Sequence, residues 1–580
     1  MAAESHSRYL PEVSKTVTSN KPICRWRAAL VGLQILLVGS ALLPLAGCGG
    51  SSQGDGVAEN LTPTQFEALP DHRKGEYRQI ELRIPEGLNG VQLLPVSRGR
   101  FDSVVDRAVH TGMLEALMAQ YTRSLFESRY PRFKVEFVPF EMWGEDFKAV
   151  LAASLASGKA PAAYVARDLP GTAEQGLFAD ITDLIKGWDQ ADLQPATAVA
   201  WGYIDGRHYV IAGPDLGSMV IMYRKDWFRE AGIFNEYGEP GPPTNWTWED
   251  FKRIAKQLTR PEDSVWGYAD EPGDFGWSLP NGFMYFVPDK AGEHTWRFND
   301  KDPRLMMMLN KVRQMKFEEK SVLTGTGMSW GQWHQEFEGG RAAMIRTFSP
   351  YVPTQMLNSP YQFGSDKPYS ETVGMVLPPT GSGGLRDLMP DANVFGFNPT
   401  LTPEELRAAF EWMKSYLYGE TYLYRMRVSL DRARIYGKGD IIYRDLLISP
   451  YRTEQELDLP KRLEEVFPAD YIRTYDAIKG APALPMARGF GLTEPAGQEY
   501  LESITAMFSA ALADENADLE DIVARTAARI NQNVLDFKDE NDREKLKNFY
   551  TALGDYYRDN FPNFYNTVWP RLLEDYYKVW

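Results

Sequence analysis

Apolar residues recur at helical spacing from Met113 to Ser128, which predicts an amphipathic helix. Tyr130-Pro131 breaks the pattern, because the residue before a proline is pushed out of the helical region. Phe133-Lys134-Val135-Glu136-Phe137-Val138 then alternates apolar and polar positions, as a half-buried strand does. A second amphipathic helix is predicted from Phe147 to Ala156 and stops at Gly158; a short apolar run follows around Tyr164-Val165-Ala166. Helix, strand, helix, strand at this pace is the signature of an α/β domain around a largely parallel sheet. Upstream, Ile80-Glu81-Leu82-Arg83-Ile84 is a lone strand-like stretch in polar, Pro/Gly-punctuated chain.

Further along, Asp205-Gly206 predicts a tight hairpin opening into an extended strand, which Pro214 and Gly217 interrupt. A second strand through Val220-Ile221-Met222-Tyr223 runs into a helix. Thr247 is placed as the N-cap of another helix, with Asp250 three residues on completing a capping box in variant form. Asn299-Asp300-Lys301-Asp302-Pro303 reads as the turn and cap of a helix starting near Pro303.

The first 47 residues read as a targeting segment and are set apart from the fold. Lys21, Arg25 and Arg27 precede an apolar run from Ala28 to Leu43, which ends in Leu45-Ala46-Gly47-Cys48 and is followed by Gly49-Gly50-Ser51-Ser52. Small residues before a lone Cys, directly after such a run, resemble the lipobox of bacterial lipoproteins. That resemblance implies cleavage before Cys48, diacylglyceration of its thiol and residence on the outer face of the cell membrane. The competing reading is an uncleaved signal anchor. The only other cysteine, Cys24, lies in the part to be removed, so the mature chain would hold no cysteine nucleophile, Cys-based zinc site or Fe–S cluster.

Composition narrows the function classes. At 580 residues the chain has room for more than one lobe, and 43% hydrophobic with 24% charged residues is an ordinary globular balance. A formal net charge of −16 excludes the basic footprint of a nucleic-acid binder and suits a soluble extracytoplasmic surface. Aromatic residues reach 13%, including 15 Trp and 30 Tyr; their faces stack on sugar rings but also fill cores.

The middle of the chain carries ordered motifs: Gly176-Leu177-Phe178-Ala179-Asp180-Ile181, Asp205-Gly206-Arg207-His208-Tyr209, Tyr223-Arg224-Lys225-Asp226-Trp227-Phe228 with Ala231-Gly232, and Pro243-Thr244-Asn245-Trp246-Thr247-Trp248-Glu249-Asp250. Phe337-Glu338-Gly339-Gly340-Arg341-Ala342-Ala343-Met344 and Gly374-Met375-Val376-Leu377-Pro378 follow in order. Together they resemble the extracellular solute-binding proteins that include maltose-type sugar binders of bacterial ABC importers, over about Tyr121 to Asp536. Two departures stand out: Arg224 replaces an Asn, and Ala162 replaces the Asp that usually follows Ala-Pro. The segment before Met113 and the aromatic tail from Asp542 to Trp580 have no counterpart.

The resemblance implies a type 2 periplasmic-binding-protein-like α/β fold: two lobes, a ligand cleft between them and an extra helical C-terminal tail. Its expected layout is a signal peptide over 1–47, a linker over 48–60, and an N-lobe over 61–214 with 391–450 returning to it. The C-lobe covers 215–390 with 451–536, and the helical extension 537–580. The chain would cross between lobes near Pro214–Gly217 and return near Asp391–Phe397. The implied ligand is a carbohydrate, contacted by Arg167 and Asp168 after the third strand, and by Asp274, Phe275 and Trp277 in a second-lobe loop. Phe348 and Tyr351 would stand where the family often places a stacking Trp, and Arg488 and Phe490 in a returning loop. Implied partners are ABC permease subunits and, through the lipid, the membrane, for a monomer without cofactor, metal or catalysis.

Rival readings rest on weaker signals. Gly327-Met328-Ser329-Trp330-Gly331 fits a nucleophile elbow with His334 nearby. The elbow needs an apolar strand before it, whereas Lys316-Phe317-Glu318-Glu319-Lys320-Ser321 is highly charged; Ser329 with Gln332 reads instead as a helix cap. With 79 acidic residues, no glycosidase pair can be singled out. The six His are scattered without metal-ligand spacing. A sensor or adhesin on the same fold is the third reading.

Overall fold

The structure, a computed structural model, describes residues 80–88, 104–140, 147–166, most of 173–270 and of 281–348, 372–382, 386, 391–424, 468–480, 494–533 and parts of 551–571. The basic N-terminal segment, the apolar run, Cys48 and the linker lie outside the described residues.

Strand β1 (Ile80–Pro85) pairs in parallel with β2 (Phe133–Val138), Ile80 opposite Phe133. Between them runs helix α1 (Val104–Arg129), longer at its start than the apolar periodicity indicated. The alternation in β2 does what it predicts: Phe133, Val135 and Val138 are buried while Lys134 and Glu136 are exposed. Helix α2 (Phe147–Ala156) buries Phe147 and Leu151 and leads to β3 (Ala163–Val165). Ala162 N donates to Arg83 O at 2.7 Å, tying the start of β3 to β1. Two further strands, β4 (Val210–Gly217) and β10 (Asp391–Phe397), form a three-stranded sheet with β3, separate from the β1–β2 pair; β10 lies between β3 and β4 and is antiparallel to both.

The second sheet has five strands in the order β7-β6-β8-β5-β9: β5 (Met219–Arg224), β6 (Tyr268–Ala269), β7 (Val322–Leu323), β8 (Met344–Phe348) and β9 (Val373–Val376). β5 is buried at all six positions, which explains why its sequence is continuously apolar rather than alternating. Gly374, in one of the ordered motifs, lies against the Tyr223 ring; a Cβ there would come within 2.1 Å of it, so only glycine fits.

Helix starts follow the sequence chemistry. After α3 (Lys225–Glu230), α4 (Trp248–Leu258) opens with the Thr247–Asp250 capping box, and α5 (Pro303–Arg313) with Asp302 accepting from Arg304 N; α6 (Trp330–Glu338) leads to β8. In the first lobe a second capping box, Thr402–Glu405, opens α7 (Pro403–Leu417). That helix buries Trp412, set edge-on 5.2 Å from Phe126 and 5.9 Å from Phe137. Arg224, the family departure, stacks 4.6 Å over Trp227 and pairs with Asp226 at 2.9 Å, so its charge is matched locally.

One apolar cluster spans the β1–β2 pair (Ile84, Val135), the three-stranded sheet and its helix α7 (Val165, Phe397, Trp412) and one face of the five-stranded sheet (Met222, Ile345, Met375). A second cluster covers the other face, with Tyr223, Trp246, Phe251, Tyr268 and Met344. Helix α8 (Ala469–Gly480) is fastened to the second sheet by charge: Lys225 Nζ lies 3.1 Å from Asp470 Oδ1, and Met375 N donates to Asp470 Oδ2 at 3.2 Å. Burial pushes the Asp470 carboxyl up from its ordinary range, against the pull of the Lys225 ammonium. Helices α9 (Glu494–Ala511) and α10 (Leu519–Asn533) pack into the second cluster. So does Trp569 near the C-terminus, 2% exposed.

Candidate functional site

The strand directions bring two sheet edges together. Because β3 and β4 both run antiparallel to β10, they are parallel to each other and end at the same edge. Val165, near that end, pairs with Phe395, which pairs with Ile211; the rest of β4 therefore continues beyond the edge. It passes through Ser218 directly into β5. Asp391 lies opposite Gly217, so the start of β10 accompanies it. The pairing slips between Ala392 and Val394, opposite the stretch that holds Pro214, which has no N–H to donate. Just before the slip, Ala212 is held by side chains: its N–H donates to Gln194 Oε1 at 2.9 Å, and its carbonyl accepts from Tyr418 Oη at 2.7 Å.

In the second sheet β6 is parallel to both β7 and β8, and β5 is antiparallel to β8 with Met219 opposite Phe348. The edge where β6, β7 and β8 end is thus the edge at which the crossing strand enters. Carboxyl ends of strands flank the crossing on both sides, the arrangement in which open α/β sheets hold ligands.

The second-sheet edge is polar. Asp270 follows β6, Thr324 follows β7, and Arg346 lies in β8. The register pairs Ala269 with both Leu323 and Ile345, which puts Thr324, Asp270 and Arg346 in one row across three neighbouring strands. Alternation along each strand puts them on the sheet face of Val322, Tyr268 and Met344. All three are buried, at 6%, 4% and 6% exposure. Tyr268 Oη donates to Asp270 Oδ2 on that face. The Thr324 hydroxyl has no hydrogen-bond partner. On the opposite face, His334 Nε2 and Thr347 Oγ1 are 2.7 Å apart, both buried, and Trp333 Nε1 donates to Arg346 O at 3.1 Å. His334 is thus enclosed in the core beside the sheet.

Several of the residues expected from sequence come next along the chain after described strands. Arg167 and Asp168 follow Ala166 at the end of β3, Asp274, Phe275 and Trp277 follow Asp270, and Tyr351 follows β8; all six lie outside the described residues. Arg488 and Phe490, and Ser329 of the elbow motif, also lie outside them. Phe348 is the last residue of β8, opposite Met219, and its side chain is outside the described set. Sequence reasoning missed Asp270, Thr324 and Arg346. A signal was present for Arg346, a charge inside the otherwise strand-like Met344-Ile345-Arg346-Thr347-Phe348. Among the described residues no group of three or more His, Cys, Asp or Glu could hold a metal ion. Nor, among them, is any helix long and apolar enough to cross a membrane.

The family profile of bacterial extracellular solute-binding proteins matches residues 108–416. Among solved structures, UgpB from Mycobacterium tuberculosis, in complex with glycerophosphocholine, aligns with TM-score 0.52 at 14% identity, covering 78% of this chain and 98% of that one. Maltose-bound MalE3 of T. maritima aligns with TM-score 0.50 at 19% identity, covering 78% and 99%. A solute-binding protein of an ABC transporter from Thermotoga lettingae, bound to α-D-tagatose, aligns with TM-score 0.50 at 13% identity, covering 79% and 100%. At these identities the likeness is one of fold, that of two-lobed periplasmic-binding proteins. No curated protein sequence matches the chain.

Proposed function

We propose, from the premise that this chain belongs to the family of bacterial extracellular solute-binding proteins, that it captures a carbohydrate between its lobes and delivers it to an ABC importer. The observation that carries this reading is the pair of strand-end edges flanking one two-strand crossing. A solute bound there would touch both lobes only when they close, and that differential contact is what shifts the population toward the closed form. Neighbours of the same fold bind maltose and tagatose, which supports a sugar.

The finer parts of the reading rest on the sequence. Cys48 is the lipidation site that holds the mature chain on the outer face of the membrane, with residues 49–60 as its tether. The lobes divide near residue 214 and again near 391, as the crossing strands β4 and β10 suggest. Arg167, Asp168, Asp274, Phe275, Trp277, Phe348, Tyr351, Arg488 and Phe490 are the proposed contacts, joined by the polar row of the second sheet. Paired hydrogen bonds from charged groups hold vicinal hydroxyls, and aromatic faces cover the apolar side of a sugar ring.

The test uses the chain from just after Cys48, without lipid, melted against mono- and oligosaccharides, peptides and metal ions. Binding to the folded state alone stabilises it by about 2.7 kcal/mol at a hundredfold excess over Kd. A rise in Tm with one sugar class, the sugar being recovered unchanged, is the expected result. Consumption of the sugar would replace binding with hydrolysis, and a rise only with peptides or metals would replace the ligand class.

A further inference from the structure

The polar row holds one group whose chemistry is incomplete. Thr324 is 6% exposed, and its hydroxyl has no hydrogen-bond partner. Burying a hydroxyl without a partner is unfavourable, and a valine of the same shape would avoid that cost. Its neighbour in the row is differently placed, since Asp270 already accepts from Tyr268 Oη. The next position, Arg346, brings a guanidinium to the same buried face. The row therefore holds one carboxylate and one guanidinium, both engaged within the fold and of cancelling formal charge, next to a hydroxyl that can both donate and accept.

We infer that Thr324 is a specificity-determining ligand contact on the second lobe, its hydroxyl completed by a hydroxyl of a neutral polyhydroxylated solute, with Asp270 and Arg346 beside it. The inference rests on the solute-capture reading and deepens it. Three observations place the contact at the cleft. Thr324 immediately follows β7, Asp270 immediately follows β6, and both strands end at the edge where the crossing strand enters. Charge cancellation sets the solute class. A phosphate or carboxylate would meet the Asp270 carboxylate beside the Arg346 guanidinium, whereas a sugar or polyol hydroxyl pairs with either.

The experiment compares wild type, Thr324→Val and Thr324→Ser, each without its lipid. Maltose, D-tagatose and glycerophosphocholine are the probes, with melting temperature and titration calorimetry as readouts. Thr324→Val is expected to melt, without ligand, at or above the wild-type temperature, because it removes an unpartnered buried hydroxyl. The same variant should bind the sugar that wild type binds about tenfold more weakly, the loss of one hydrogen bond. Thr324→Ser should keep wild-type affinity. Equal affinity of Thr324→Val and wild type would overturn the inference and leave solute capture standing. A ligand-free Thr324→Val that melts well below wild type would also overturn it, since the hydroxyl would then serve the fold. A wild-type response to glycerophosphocholine but to neither sugar would overturn the neutral class. Silence of the wild type toward all three would remove the carbohydrate reading and this inference with it.

Discussion

The two strand-end edges that face the crossing are built from different chemistry. In the first lobe β3 ends in Tyr164 and Val165 and is followed by Ala166, all buried and apolar in character, beside Phe395 of β10. In the second lobe the equivalent positions are Asp270, Thr324 and Arg346, buried and polar. The same contrast runs deeper into each lobe. Helix α7 is held to the first sheet by Trp412 among aromatic rings. Helix α8 buries Tyr471, Tyr475 and Ile478 too, but adds to that packing the Lys225–Asp470 pair and the Met375 N–H. Apolar packing is indifferent to direction, whereas buried charge tolerates little displacement of its partner. The strand end of the first lobe is thus apolar, while the second lobe builds polar groups into its sheet.

Matched substitutions sharpen the contrast. Trp412→Ala should cost about 3–5 kcal/mol as a large-to-small change in a packed core. Asp470→Ala should cost a similar 3–5 kcal/mol, because it strands the Lys225 ammonium in the interior. Urea denaturation measures both. Replacing the whole pair, Lys225→Met with Asp470→Leu, should recover much of that loss, whereas no second change beside Trp412 restores the missing ring. If Asp470→Ala proved neutral, the charge-built picture of the second lobe would fail.

Acidity separates the two lobes next. The Asp470 carboxyl titrates above its ordinary value in the folded protein, through burial. A raised folded pKa means that the folded state takes up the proton first. This group's contribution to stability is therefore fully present below the ordinary Asp value of about 3.9, and is lost as pH rises through the folded pKa. Wild type should accordingly gain stability relative to Asp470→Asn as pH falls from 7 toward 4. The difference between wild type and Trp412→Ala should stay flat over the same range. Parallel slopes for the two comparisons would contradict the assignment.

The smallest effects should be shared. Thr402→Ala and Thr247→Ala each remove the side-chain cap of one helix, α7 and α4, and each should cost about 1 kcal/mol. Equal losses would say that helix starts are built alike in both lobes, and that the difference is confined to the sheets. Hydrogen exchange at the first turn of each helix reads the same effect locally.

Much of the fold was legible because local patterns and tertiary demands agree. The strand Phe133–Val138 and the helix Phe147–Ala156 appear with the boundaries their periodicity predicts, and the Thr247–Asp250 box forms as spelled. Helix α1 starts at Val104, nine residues before the Met113 that the sequence indicates, although Val105, Ala108 and Val109 carry the helical spacing back to its first turns. The tail's role was harder to read: its aromatics carry no periodicity that tells a core plug from a surface, yet Trp569 is buried in the second cluster. At the cleft, sequence pointed to loop residues through family resemblance. It could not assemble Thr324, Asp270 and Arg346, which lie in three separate stretches of chain and meet only through the register of β6, β7 and β8.

Closure of the two lobes around a solute is the central claim, and small-angle X-ray scattering of the lipid-free chain tests it most directly. The radius of gyration would be measured alone and with a saturating amount of whichever sugar raises Tm most. A smaller radius of gyration in the presence of the sugar, reversed on dialysis with the sugar recovered intact, is the predicted result. An unchanged radius at proven saturation would contradict capture between the lobes and move the site to a single lobe.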